Sequence, residues 1–183
     1  MRSPDAYDTL ASVSNLASLL KSMGRYEEAL PYHQEALTGR RSVLGDDHPD
    51  TLTSVGSMGG LLSSMGRYGQ ARPLLQEALD GRRRVLGDDH PDTFASLGNM
   101  GALLRSIGKL EEALQYEQEA LDGRRRVLGD YHHDTLTSMG SIGGLLQSMG
   151  RFEEAMPYYQ EALDGRRRVL GDDHHDTLTV RVR

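Results

Sequence analysis

Between residues 50 and 91 the apolar side chains recur in two helical bursts. Leu52, Val55, Met58, Leu61, Leu62 and Met65 follow one another at three- and four-residue steps. Gly66 interrupts the pattern. It then resumes through Tyr68, Ala71, Leu74, Leu75, Ala78, Leu79, Val85 and Leu86, and ends at Gly87. The spacing predicts about fifteen residues of helix, a tight turn at Met65-Gly66-Arg67, about twenty residues of helix, and a short acidic loop. Gly66 and Gly87 are helix C-terminal stop signals.

The same pattern occupies the rest of the chain. GRRSVLGDDHPDT (39–51), GRRRVLGDDHPDT (81–93), GRRRVLGDYHHDT (123–135) and GRRRVLGDDHHDT (165–177) begin 42 residues apart. A fixed period of this size is the mark of a repeat array. Met1–Tyr7 reads as a lead-in, and residues 8–183 as a single array. Its units are Asp8–Pro49, Asp50–Pro91, Asp92–His133 and Asp134–His175, with a partial fifth at Asp176–Arg183. The expected fold is all-α: four antiparallel helix pairs stacked side by side, each burying only the faces that touch its neighbours. That explains how 183 residues with only 37% hydrophobic content can fold.

Boundary residues agree. Pro49 and Pro91 fall at helix starts, where a missing N–H costs nothing. Asp46, Asp47 and Asp50 gather at the same end, and arginines such as Arg82–Arg84 at the opposite end of the longer helix, as the helix dipole favours. Pro31, Pro73 and Pro157 fall early enough in the second helix to bend rather than break it; Gln115 takes their place in the third unit.

Within Met23–Leu37 (MGRYEEALPYHQEAL), a turn glycine (Gly24), an aromatic two residues on (Tyr26) and small alanines (Ala29, Ala36) resemble the second half of a tetratricopeptide repeat. The 42-residue period, long second helix and GDDHPDT linker are similar to kinesin-light-chain-like arrays. The chain departs from that pattern in places. One of two customary asparagines is kept at Asn15 and Asn99 and replaced by Ser57 and Ser141; a customary second-helix aromatic is His33, Leu75 and Glu117 in the first three units and Tyr159 in the fourth.

The resemblance implies a right-handed α-solenoid, a superhelix whose first helices line a concave face. By that resemblance the partner-binding positions are Ser14, Asn15, Ser18 and Lys21 in the first unit, and Gly56, Ser57, Gly60 and Ser63 in the second. The third supplies Gly98, Asn99, Ala102 and Arg105; the fourth supplies Gly140, Ser141, Gly144 and Gln147. Ser14/Ser18, Gly56/Gly60, Gly98/Ala102 and Gly140/Gly144 are pairs four apart on one helix face. Each helical glycine costs roughly 1 kcal/mol against alanine. Either this face is kept low for a partner's backbone, or duplication has let side chains be lost without harm. Ala17, Gly59, Gly101 and Gly143 are read instead as packing where the helices of a unit cross.

The expected function is a non-enzymatic scaffold that holds a peptide or helix of a partner protein through the concave groove or the array ends. The first alternative is a permanent subunit of a larger assembly. Lys21 and Arg105, the groove's only basic groups, are a thin set for a carboxylate clamp. A weaker alternative, RNA binding, rests on the arginine triplets, but the net charge is −6 and there is no Trp and only two Phe. Arg40, Arg82, Arg124 and Arg166 fall on the apolar stripe. Their stems are expected to pack on the next unit, with each guanidinium reaching a carboxylate. No nucleic acid is expected as partner.

The histidines at 132–133 and 174–175 fall at helix starts, so a linker role is favoured over a metal site. Neither catalytic set nor cofactor motif is found, and no apolar stretch is long enough to enter a membrane. A cytoplasmic location is the default. The last segment is too short for a full capping pair, so either the chain is a piece of a longer array or its open end docks on something, with end-to-end self-association left open.

Overall fold

A computed structural model describes residues 4–171. The expected partial fifth unit and the histidines at 174–175 lie outside the described residues. Eight helices follow one another: α1 (Pro4–Ser22), α2 (Tyr26–Leu44), α3 (Pro49–Ser64), α4 (Tyr68–Leu86), α5 (Pro91–Ser106), α6 (Leu110–Leu128), α7 (His133–Ser148) and α8 (Phe152–Leu170). Among the described residues all regular structure is helical, so the fold is an all-α repeat solenoid. No described helix is long and apolar enough to cross a membrane. α1 starts at Pro4, so half of the expected lead-in is already helix. A proline at the first helical position loses no backbone bond there.

The turns form where the glycines stand. Gly66 adopts φ +72°, and Arg67 N–H donates to Leu62 O at 2.8 Å while Gly66 N–H donates to Ser63 O at 3.0 Å. This pair of bonds closes the Schellman motif that ends α3. At the other end of the hairpin, Gly87 at φ +91° donates to Arg83 O and releases the chain into the acidic loop. The next helix is capped by histidine. Nδ1 of His48, His90 and His132 accepts the backbone N–H two residues on, at 3.1, 3.1 and 3.2 Å. The linker role expected of these residues is therefore a helix cap, with Nδ1 as the lone-pair nitrogen. α2, α4 and α8 run on through Pro31, Pro73 and Pro157.

The chain forms two compact units, Met1–Leu103 and Leu104–Arg183. In the first, α1 packs on α2, α2 on α3, and α3 on α4. The core consists of Ala17, Leu20, Ala29, Leu37, Leu52, Val55, Leu61, Ala71, Leu75, Leu79, Phe94 and Leu97. In the second, α6 packs on α7 and α7 on α8, around Leu121, Met139, Ile142, Leu146, Ala155 and Ala162.

Two kinds of close approach set the helix crossings. A Cβ on Gly59 would stand 2.9 Å from Leu75 Cγ, and one on Gly143 would stand 3.0 Å from Tyr159, so both are packing glycines, as read. Gly39, Gly81 and Gly165 are a second set: each presses on a leucine of the first helix, with Leu10, Leu52 or Leu136 Cδ2 2.4 Å from the Cβ position. The glycine that opens each GRR run is therefore a crossing residue of its own unit.

The arginine after that glycine joins one unit to the next. Arg40 Nη1 donates to Ser54 Oγ at 2.8 Å and to Asp50 O at 3.2 Å. Arg82 repeats this with Ser96 Oγ and Asp92 O at the same distances, and adds Thr53 Oγ1 at 3.1 Å. Arg124 donates to Ser138 Oγ in the second unit. Arg40 and Arg82 are buried. The heads of Arg40 and Arg82 end on a serine hydroxyl and a backbone carbonyl of the next repeat, where a carboxylate was expected. Burial pulls Arg82 and Arg124 below the ordinary arginine value. A guanidinium remains charged there, because hydrogen bonds to it take the place of water.

Candidate functional site: the open face of the first helices

In the first unit, α1, α3 and α5 each turn one stripe outward. On α1, Asn15 and Ser18 are exposed, Lys21 is half-buried, and Ser14 is half-buried with its hydroxyl returned to Leu10 O at 2.9 Å. On α3, Ser57, Gly60 and Ser63 are half-buried, while Gly56 is buried beside Ala78 and Arg82. On α5, Gly98 is half-buried and Asn99 and Ala102 are exposed. In the second unit, Arg105 is exposed at the end of α5; α7 supplies half-buried Gly140, Ser141 and Gly144 and exposed Gln147.

What a methyl group would meet at each small position separates packing from vacancy. At Gly98 and Gly140 an added Cβ has nothing within 4 Å. At Gly60 it meets only the end of a flexible chain, Lys21 Nζ at 3.0 Å, and at Gly144 only the Tyr159 hydroxyl at 3.4 Å. Gly56 is in ordinary contact, 3.6 Å from Ala78 Cβ. The fold therefore leaves little room for a side chain at Gly59 and Gly143, and open space at Gly98 and Gly140.

A second row of residues lies on the second helices. His33, Leu75, Glu117 and Tyr159 occupy one position of the second helix in successive repeats. Tyr159 lies against Gly143, and its hydroxyl donates to Gln147 Oε1 at 2.9 Å. His33 is only 3% exposed, and its Nε2 is buried without a hydrogen-bond partner. Burial, then the Lys21 ammonium, push its pKa down from the ordinary histidine value; burial also lowers Lys21. Glu117 is pushed up by burial, against the pull of Arg124 and Arg105. Burial likewise raises Tyr159.

The sequence registers this row only as a missing aromatic. The available signal was that the row differs in every repeat while its surroundings do not. It brings a base, an aliphatic group, an acid and a phenol to one register position; Leu75 lies against Gly59 of the first helix and Tyr159 against Gly143.

Other concavities lie between successive second helices. One of about 600 Å³ is bounded by Leu114, Gln118, Arg126, Arg151 and Tyr158; another of about 540 Å³ by Leu30, Gln34, Arg41, Met58 and Leu74. Arg41–Glu77 in the first unit and Tyr158–Gln118 in the second bridge neighbouring second helices. No cluster of three or more His, Asp or Glu able to hold a metal ion occurs among the described residues.

Family models described as tetratricopeptide repeat match residues 8–84, 54–126 and 135–176. No curated protein matches by sequence. Among solved structures, the chain is similar to nearly identical TPR-like repeats of the kinesin light chain kind from Podosopora anserina, with TM-score 0.83 and 20% identity, covering 94% of this chain and 82% of that one. It is also similar to BtubC (BKLC) from P. vanneervenii, with TM-score 0.81 and 19% identity, covering 96% and 69%. A Rap protein complexed with Competence and Sporulation Factor gives TM-score 0.80 and 15% identity, covering 95% and 46%. At these identities the likenesses concern the fold.

Proposed function

The chain belongs to the tetratricopeptide repeat family, a family of protein-interaction scaffolds, and from that premise we propose that it is a non-catalytic scaffold receiving an extended peptide or a helix of a partner protein on the open face of its first helices. The observation that carries this reading is the vacancy at Gly98 and Gly140. Alanine is worth roughly 1 kcal/mol more than glycine inside a helix, and nothing in the chain's own packing opposes it there. In the first unit the helix with Gly98 forgoes that stability on the side that carries Asn99, and in the second the helix with Gly140 forgoes it on the side that carries Gln147. Low relief lets another backbone approach closely; hydroxyl and amide groups along it supply hydrogen bonds to that backbone.

The residues proposed to contact the partner are those of the stripe. Lys21 brings a positive charge to the stripe of the first unit and Arg105 to that of the second. Specificity then comes from the residues that differ between repeats, and adhesion from the uniform stripe.

A random peptide display library panned on the intact chain tests the reading. Selected peptides bind the wild type and lose about tenfold or more in affinity to Gly98→Leu and Gly140→Leu, both of which remain helical by circular dichroism. Peptides whose affinity is unchanged by both substitutions and by Asn99→Ala would place the binding surface elsewhere.

A further inference from the structure

We propose that Tyr131 is a phosphorylation site and that Arg168 receives the phosphate. Tyr131 stands in the acidic loop between α6 and α7, at a position held by aspartate in the other repeats: Asp47, Asp89 and Asp173. In the first unit, Asp47 accepts a hydrogen bond from Arg84 of the following repeat and forms an ion pair with it. Arg168 is the arginine of that register in the second unit. There it meets a neutral phenol. Its Nη1 donates to the Tyr131 hydroxyl oxygen at 3.0 Å, and its guanidinium carbon lies 4.5 Å from the centre of the ring. The cation of the pair is kept, and its anion is replaced by a side chain that becomes an anion when phosphorylated. A phosphate on the Tyr131 oxygen carries about −1.5 to −2 charges at pH 7 and three acceptor oxygens. It restores the pair that Asp47 and Arg84 make, with the planar donor already in place.

Access and neighbours agree. Of the eight tyrosines, all of them described, Tyr131 alone lies outside a helix, and it is 49% exposed. A loop tyrosine can be drawn into a kinase cleft without unwinding a helix. The openness belongs to this edge of the repeats. Asp47 and Arg84, which are followed by further repeats in the chain, have side chains 62% and 61% exposed. The acids around Tyr131 are already engaged. Arg125 holds Asp130 at 3.5 Å and Glu161 at 2.6 Å, and Asp164 accepts from Gln160 at 3.1 Å. The reaction is transfer of the γ-phosphoryl group of ATP by a protein-tyrosine kinase. The bond from Tyr131 Oη to phosphorus forms, and the bond from phosphorus to the oxygen bridging to the β-phosphate breaks. ADP leaves with the electron pair, and the phenolic proton is released. These residues lie outside the proposed peptide-binding stripe, so either proposal can fail without the other.

The intact chain, incubated with ATP and a broad-specificity protein-tyrosine kinase and mapped by mass spectrometry, tests the site. Phosphate should enter Tyr131 about tenfold faster than any other tyrosine, because a helical tyrosine reaches the kinase only through local unfolding. Tyr131→Phe should lose most of the incorporation. Phosphotyrosine placed at 131 by genetic-code expansion then tests the receiver. The melting temperature should rise by about 2–4 °C over the unmodified chain. A tyrosine phosphatase should release the phosphate about threefold more slowly than from the same chain carrying Arg168→Gln, in which nothing holds it. Arg168→Gln, at an exposed site, should be folded by circular dichroism and show no rise in melting temperature on phosphorylation. Tyr131→Asp, which copies Asp47, should reproduce part of the rise at low salt and lose it at high salt. Phosphate entering mainly at other tyrosines overturns the site. Equal melting and equal dephosphorylation in the wild type and Arg168→Gln overturn the role of Arg168, and with it the proposal.

Discussion

His33 and Glu117 occupy the same position of their repeats and impose opposite dependence on pH. His33 is held below the ordinary histidine value of 6.5 by burial and by Lys21. The unfolded chain therefore takes up a proton before the folded one does. The stability associated with His33 is fully present above pH 6.5 and is lost as the pH falls below it. The slope it adds is at most about 1.4 kcal/mol per pH unit. Urea melts of His33→Gln between pH 7.5 and 5 should show this slope reduced. Glu117 is held above the ordinary carboxyl value of 4.5 by burial. The unfolded chain ionises first, so the cost of Glu117 grows as pH rises through 4.5 and is complete above the folded value. Glu117→Gln should raise the melting temperature at pH 7 and leave it nearly unchanged at pH 4, read by calorimetry. Ser96 tests the buried arginine: Ser96→Ala leaves Arg82 Nη1 with the Asp92 carbonyl alone and should cost about 1–3 kcal/mol, whereas Ser57→Ala, on the open face, should be close to neutral by the same measurement.

At the level of the helix, glycine has three separate uses in this chain, and substitution distinguishes them. Gly98→Ala and Gly140→Ala should each stabilise by roughly 1 kcal/mol in chemical denaturation, because the new methyl meets nothing. Gly59→Ala should destabilise by about 1–3 kcal/mol, since its Cβ would press on Leu75 and on the Leu75 backbone nitrogen 3.2 Å away. The sequence made the hairpins legible almost to their boundaries, because the turn glycines, the alanine stripe and the period all point the same way. The crossing role of Ala17, Gly59 and Gly143 was legible too, from their spacing. The role of Gly39, Gly81 and Gly165 was not, since a glycine near the end of a helix looks like one that loosens it. Nor could spacing reveal that Arg40 and Arg82 end on serine: the acidic residues crowded into the loop are the more obvious partners, and only the packing of the next helix brings Ser54 and Ser96 within reach. The row from His33 to Tyr159 was visible as a departure. That Leu75 and Tyr159 lie against glycines of the first helix is a tertiary fact.

Within each unit, the described contacts between neighbouring repeats combine apolar pairs with exposed ion pairs. The ion pairs contribute little in water, about 0–1 kcal/mol each, and are screened by salt. Raising the salt concentration tenfold should therefore move the unfolding midpoint only slightly, while a single buried apolar truncation such as Leu61→Ala should cost about 2–5 kcal/mol. The Arg–Ser link has a further consequence, because each of the first three repeats reaches for an acceptor that its successor holds in the same place. Excising residues 50–91 would join Pro49 to Asp92 and bring Arg40 to Ser96, an encounter with the same chemistry as the one removed. Copy number can thus drift by whole periods through unequal recombination without any junction having to be reinvented, whereas a loss of any other length would strand a guanidinium inside the protein.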